Sequence, residues 1–268
     1  MTFGEIFGKS WKDYKSNFKQ IFLFMLVFIA IPALIFSFIE IYFVLSNEGV
    51  KNFVLSYSQQ KIEGAYFSFL LANPVFFIIS TILGAGYALF FLFVQGGLIN
   101  LSLRSSRFSF RELLTSSRRS FFKYLGFSLV SFIFLIGLFL LLIIPGIIFS
   151  VYWLLGSFVF FNEKKNIRES LKKSRELISG RWWITLWYVF LFGLIFLGFS
   201  VATQVIRAPL SIYELIDSSG GVKSPLLFVI GALTDTTLQF FVNLLSLPLG
   251  VLFGKNLYFE FSKVGRKK

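Results

Sequence analysis

The chain contains no cysteine and no histidine. Without cysteine there is no disulfide, no thiolate nucleophile and no Cys-based metal site. Without histidine, imidazole acid–base chemistry and most transition-metal sites are excluded. Acidic residues are scarce as well, with 13 Asp and Glu against 26 Lys and Arg, a formal net charge of +13. No glycine-rich phosphate loop of the Walker kind occurs, and Ser218-Ser219-Gly220-Gly221 reads as an outer turn. Residues 1–20 do not read as a secretory signal. Glu5 and Asp13 sit among the lysines, the apolar run that follows is too long, and no small-residue cleavage site follows it clearly.

Apolar residues fill the space these absences leave. Of 268 residues 56% are hydrophobic, 39 of them Phe, and the mean hydropathy is +0.77. A soluble domain is about 45–50% apolar. Uncharged runs of roughly 20 residues recur, the length that crosses about 30 Å of hydrocarbon. In lipid the backbone must satisfy its own hydrogen bonds, which makes such runs helices. The expected fold class is all-α, a polytopic helical membrane protein with six transmembrane helices arranged as three hairpins, each preceded by a cytoplasm-side amphipathic helix.

A short pattern introduces each hairpin. It reads Thr2-Phe-Gly-Glu-Ile-Phe-Gly-Lys-Ser10, then Ser109-Phe-Arg-Glu-Leu-Leu-Thr-Ser-Ser117, then Asn166-Ile-Arg-Glu-Ser-Leu-Lys-Lys-Ser174. Thr2 with Glu5 and Ser109 with Glu112 have capping-box spacing, and Asn166 with Glu169 makes a weaker pair. Helical periodicity puts Phe3, Ile6, Phe7, Ser10, Trp11, Tyr14 and Phe18 on one face of the first copy. Phe110, Leu113, Leu114, Ser117 and Phe121 share a face in the second copy, and Ile167, Leu171, Ser174, Ile178 and Trp182 in the third. Ser10, Ser117 and Ser174 fall on these apolar faces, where a small residue permits close helix contact. The three glutamates are read as caps and not as acid–base catalysts. The expected organisation is a single membrane domain, 1–268, with repeat units at about 1–102, 103–162 and 163–262 and a basic tail at 263–268.

The crossings are expected at about Ile21 to Leu45, with a kink at Pro32, at Pro74 to Leu101, at 125–144, at 147–161, at Trp183 to Val205, and at 225–259 with a bend or extension at Pro248. The two central ones are separated at Pro145-Gly146, because two basic flanks on one side demand an even number of crossings. Gly84, Gly86, Gly96 and Gly97 are expected to allow close helix approach. Trp182, Trp183 and Trp187 suit an interface. The stretches 46–65 and 207–224 read as outer loops of balanced charge. Of the 26 Lys and Arg, four lie in 1–20, six in 103–123, seven in 164–181 and five in 255–268, which leaves Lys51, Lys61, Arg207 and Lys223 outside these stretches. The positive-inside rule then places both termini in the cytoplasm, at a cytoplasmic membrane, and accounts for the net charge without nucleic acid.

The run Ile144-Pro-Gly-Ile-Ile-Phe-Ser-Val-Tyr-Trp153, followed by Glu-Ser-Leu-Lys-Lys-Ser174 and Gly180-Arg-Trp-Trp183, resembles the bacterial six-helix membrane domain fused to some glycerophosphodiester phosphodiesterases. That domain also occurs alone. The resemblance implies a helical integral membrane fold without an enzyme, since the phosphodiesterase activity belongs to a separate soluble barrel that uses His residues.

Two sets of residues are candidates for function. Asp235, Thr236, Gln239 and Asn243 form a candidate intramembrane polar site, since Asp235, Gln239 and Asn243 share a helical face and a carboxylate in lipid faces a cavity or a partner. The alternative is a structural hydrogen-bond cluster. Arg118, Arg119, Lys172 and Lys173 are candidate contacts for anionic lipid headgroups, each charge near the surface contributing about 1 kcal/mol. The expected role is non-enzymatic interaction with membrane lipids or a membrane-protein partner, with no cofactor. The alternative is a transporter or permease built on the polar face around Asp235, which the sequence confines to one crossing.

Overall fold

A computed structural model describes residues 2–51, 73–218 and 224–265, and these contain helices and no strand. The helices, in chain order, are α1 (Phe3–Met25), α2 (Ile31–Ser46), α3 (Pro74–Ser102), α4 (Phe110–Leu141), α5 (Ile143–Tyr152), α6 (Gly156–Glu163), α7 (Ile167–Ile178), α8 (Trp182–Ser218) and α9 (Pro225–Gly265). A π-helical stretch, Leu26–Ala30, joins α1 to α2 just before Pro32. Among the described residues, six helical spans are long and apolar enough to cross a membrane: Phe3–Ser46, Pro74–Ser102, Phe110–Leu141, Ile143–Glu163, Trp182–Glu214 and Pro225–Lys263. Large apolar side chains such as Leu140, Phe132, Ile133, Val205 and Ile206 are exposed on them. So much apolar surface suits hydrocarbon and would be a liability in water. The chain is a multi-pass membrane protein.

The motif segments are not three alike. In the second copy α4 carries motif and crossing in one helix, while in the first the motif helix α1 runs on to Met25 and is followed by the π-helical stretch before α2. The third copy is a helix of its own. It stops at Ser179, Gly180 takes a left-handed conformation with φ of 81°, and α8 begins at Trp182. Glycine adopts that φ without the steric cost a Cβ would bring. The caps follow the motif: Thr2 and Glu5 bond reciprocally, Ser109 and Glu112 form a full capping box, and Asn166 accepts from the Glu169 amide.

Other boundaries differ from the expected ones. The stretch 207–218 is not a loop but the last turns of α8. Lys61, Glu63, Ser219, Gly220, Gly221 and Lys223 lie outside the described residues. The break between the central crossings falls at Leu142, which is extended (φ −159°, ψ 133°), so that Pro145 sits in the first turn of α5. There its missing N–H costs nothing. Helix α9 continues through Pro248.

The chain divides into two compact units, the first formed by Met1–Met25, Leu92–Phe196 and Leu244–Lys268, the second by Leu26–Phe91 and Leu197–Asn243. The first is organised around the C-terminal half of α9, where Leu247, Leu249, Val251, Leu252, Phe253, Leu257, Tyr258 and Phe261 are all buried. A helix apolar around its whole circumference is a buried helix. On α1 the buried face is Ile6, Ser10, Tyr14, Asn17 and Ile21, while Phe18 is exposed. Asn17, not Phe18, is turned inward because its amide holds the turn before α4. It donates to the Ser106 carbonyl at 2.9 Å and accepts from the Phe108 amide at 2.7 Å.

Each motif serine is fully buried, in a different way. Ser10 accepts from Asn256 Nδ2 at 2.9 Å. Ser174 donates to the Tyr152 carbonyl at 2.6 Å and accepts from the Leu155 amide at 3.2 Å. Ser117 makes no side-chain hydrogen bond and packs on Gly97, where an added Cβ would overlap it. Gly96 similarly receives the Tyr124 ring. Gly86 lies against Phe36, whereas Gly84 has nothing within 4 Å of a Cβ position and is not a contact glycine.

In the second unit, Val44 and Val50 form a small apolar core with Phe43, Phe76 and Phe228. Its polar residues gather elsewhere, as follows.

Candidate functional site

The Arg207 side chain is the anchor of the second unit's polar cluster. It projects from α8 and is buried, and its guanidinium meets three acceptors: Nε donates to Asp235 Oδ1 at 2.7 Å, Nη2 to Glu214 Oε1 at 2.8 Å and Nη1 to Ser211 Oγ at 3.1 Å. Arg207, Ser211 and Glu214 lie four and seven residues apart, so one face of α8 presents all three. Gly231 of α9 leaves the room, since a Cβ there would lie 2.4 Å from Glu214 Oε1. Glu214 is only 9% exposed, but the Asp235 side chain is 60% exposed on its far side. One carboxylate is thus buried as part of the ion pair. The other is held by Arg207 and remains open.

The open side of Asp235 faces a cavity of about 470 Å³ lined by residues of α2, α3 and α9. Helix α2 supplies Ser37 and Glu40, α3 supplies Ser80 and Tyr87, and α9 supplies Asp235, Thr236 and Gln239. Ser37 and Thr236 are hydrogen-bonded at 2.7 Å. Asn243 donates to Tyr87 Oη at 3.2 Å and accepts from Gln239 Nε2 at 3.3 Å. Ser80 Oγ is buried without a hydrogen-bond partner among the described residues. Phe36 and Tyr87 add aromatic faces to the wall. Two carboxylates, Glu40 and Asp235, line the cavity, and no basic side chain does among the described residues. Arg207 neutralises Asp235 in part, while Glu40 has no ion pair among the described residues. The cavity therefore favours positive charge, and its hydroxyl and amide groups can orient a polar solute.

All four residues of the polar-site expectation lie here, and Asp235, Thr236 and Gln239 line the cavity, with Asn243 beneath Gln239 and Tyr87. The polar face is not confined to one crossing, because α2 and α3 contribute to it. Arg207, Glu214, Glu40 and Tyr87 escaped the sequence reading. Arg207 and Glu214 were placed in a loop because their charges cancel. Their four- and seven-residue spacing with Ser211 was the helical signal available.

The basic candidates do not form one site. Arg118 is exposed and lines no described cavity, and Lys172 is exposed. Lys173 pairs with Glu176 at 3.1 Å. Arg119 lines a cavity of about 290 Å³ in the first unit with Arg104 and Arg111. Lys255, counted among the inner basic charges, is buried and paired with Asp13 at 2.5 Å.

No family model, curated protein or solved structure matches the chain.

Proposed function

We propose that the protein is a non-enzymatic, multi-pass protein of the cytoplasmic membrane, with both termini cytoplasmic, that binds a small organic cation in the cavity of its second unit. The observation that carries this reading is the approach of Glu40 and Asp235 to one cavity from different helices, with no lining cation among the described residues. Ionisable residues in spanning helices are costly and are kept where they face a partner, a cavity or a pathway. An ammonium group would meet the carboxylates while its apolar substituents met Phe36 and Tyr87, whose ring faces attract cations. The same arrangement supports the alternative of a transporter or permease with its polar face around Asp235.

The test uses the full-length protein in nanodiscs with choline as the probe, followed by calorimetry. Asp235→Asn and Glu40→Gln are each expected to weaken binding by about tenfold, the effect of one lost charged contact. Affinity unchanged in both variants would reject the reading. Choline flux into proteoliposomes that Asp235→Asn abolishes would extend it from binding to transport.

A second reading, contact with anionic headgroups through the basic stretches, is favoured by the exposure of Arg118, Arg119 and Lys172. Its measure is the salt-sensitive cosedimentation of anionic liposomes. Binding that ignores salt would count against it.

A further inference from the structure

The first unit holds a basic cavity that no role described so far requires. It lies where α3 ends and α4 begins. Arg104 comes from the turn between them, while Arg111, Thr115 and Arg119 follow at intervals of seven, four and four residues. The last three share a face of α4, because positions four apart are neighbours on a helix. The wall also contains Asn100, only 4% exposed, whose Oδ1 accepts no hydrogen bond among the described residues.

Three features make this a built site and not a run of solvated charge. The first is the frame. Ser116 Oγ donates to the Gly97 carbonyl at 3.1 Å, and Gly96 and Gly97 admit Tyr124 and Ser117, which fixes α3 against α4. The turn bearing Arg104 is held by its own backbone bonds to the Leu101 carbonyl, at 2.9 Å from both Arg104 and Ser105, and by Asn17 further along. The second is the state of the charges. Lys165 and Lys173 are engaged by carboxylates, and Arg175 and Arg181 lie over aromatic rings. Arg104, Arg111 and Arg119 have no ion pair among the described residues. The third is the balance. The single lining carboxylate, Glu112, is occupied by Ser109, whose amide and hydroxyl both donate to it, at 3.0 Å and 2.8 Å. Three arginines without an ion pair among the described residues are left lining a concave space.

Guanidinium groups present paired donors that match phosphate oxygens, and several around one concavity select a tetrahedral dianion or monoanion over a single carboxylate. We propose that Arg104, Arg111 and Arg119 form a binding site for a phosphate group. Two sources carry that chemistry, a phospholipid headgroup and a free phosphate or phosphomonoester. The site is independent of the cation cavity. It rests on the headgroup reading only for the lipid source, since free phosphate would satisfy the same donors.

The experiment is a titration of the full-length protein in detergent, with inorganic phosphate in one arm and short-chain phosphatidic acid in the other, read by ³¹P NMR. Arg111→Gln and Arg119→Gln are each expected to weaken phosphate binding by about tenfold. Arg118→Gln removes the same charge from a neighbouring position outside the cavity and is expected to change the affinity for inorganic phosphate, the arm free of lipid, less than twofold. Retention volume in gel filtration checks that each variant is folded, and Arg111→Lys is expected to fall between wild type and Arg111→Gln. A clear preference for phosphatidic acid assigns the lipid source. Equal affinity for the two probes assigns the bare phosphate and leaves the headgroup reading to the liposome assay. Equal losses in Arg118→Gln and Arg119→Gln, or no saturable binding of either probe, would overturn the site.

Discussion

The two compact units use polar side chains in opposite ways. In the first, polar pairs close one element against another: Ser10 with Asn256, Lys255 with Asp13, Ser174 with the Tyr152 carbonyl, Asn17 with the turn before α4. In the second, Arg207 gathers two carboxylates and leaves one of them facing a cavity. The contrast teaches that a polar residue in an apolar helix has no meaning until its surroundings are known. Asp13 and Asp235 each pair with one cation, yet Asp13 closes a helix contact and Asp235 lines a space.

The sharpest way to break this contrast is to remove the cation from each pair. Arg207→Met removes the guanidinium from both Asp235 and Glu214, the latter 9% exposed, and is expected to destabilise the protein by about 3–5 kcal/mol, since removing one partner of a buried ion pair is strongly destabilising. Lys255→Met strands Asp13, whose side chain is 22% exposed, and should cost less. Thermal unfolding in one detergent measures both. Equal losses would mean that the Arg207 cluster is as purely structural as the Asp13 pair.

A smaller effect is expected where the first unit packs most closely. Gly97→Ala would place a Cβ 2.9 Å from the Ser117 Cα, so backbone has to move, at a cost of about 1–3 kcal/mol. Gly84→Ala, at the cavity of the second unit, meets no atom within 4 Å and should be neutral, or stabilising by up to about 1 kcal/mol from helix propensity. The difference in unfolding temperature between the two checks it. The smallest effect separates the motif copies. Ser174→Ala loses two hydrogen bonds, about 1–2 kcal/mol, whereas Ser117→Ala loses none and should change stability by less than about 0.5 kcal/mol.

Much of the architecture was legible because membrane helices announce themselves by length and apolarity. The capping pairs were legible too, since Thr2, Ser109 and Asn166 stand three residues before Glu. Asp235, Gln239 and Asn243 were identifiable from one-face spacing alone. What the sequence withheld depended on partners distant along the chain. Nothing near Arg207 announces Asp235, 28 residues away. Phe18 outranks Asn17 on any apolar count, yet Asn17 is the residue turned inward, because hydrogen bonds to Ser106 and Phe108 outweigh the burial of a ring. The three motif serines read alike and bond differently, because what each meets belongs to another helix. The C-terminal half of α9 reads as one crossing among six, although the apolar run from Leu247 to Phe253, with no polar face, is the mark of a buried helix.

The turn at Gly180 has a consequence for how the molecule opens. Helix α7 carries its own start at Asn166 and its own stop before Gly180, so its twelve residues share no hydrogen-bond ladder with α8. The motif residues of α4 sit on the same helix as the apolar run that follows, and those of α1 are followed by helix without a break as far as Met25. Amide exchange with deuterated water follows local opening. Backbone amides of Ile167–Ile178 should therefore exchange together and early, as a unit. Those of Ile6–Ser10 and Leu113–Ser117 should be protected along with the crossings they lead into. One glycine at positive φ thus sets where the chain can breathe without loosening its membrane helices.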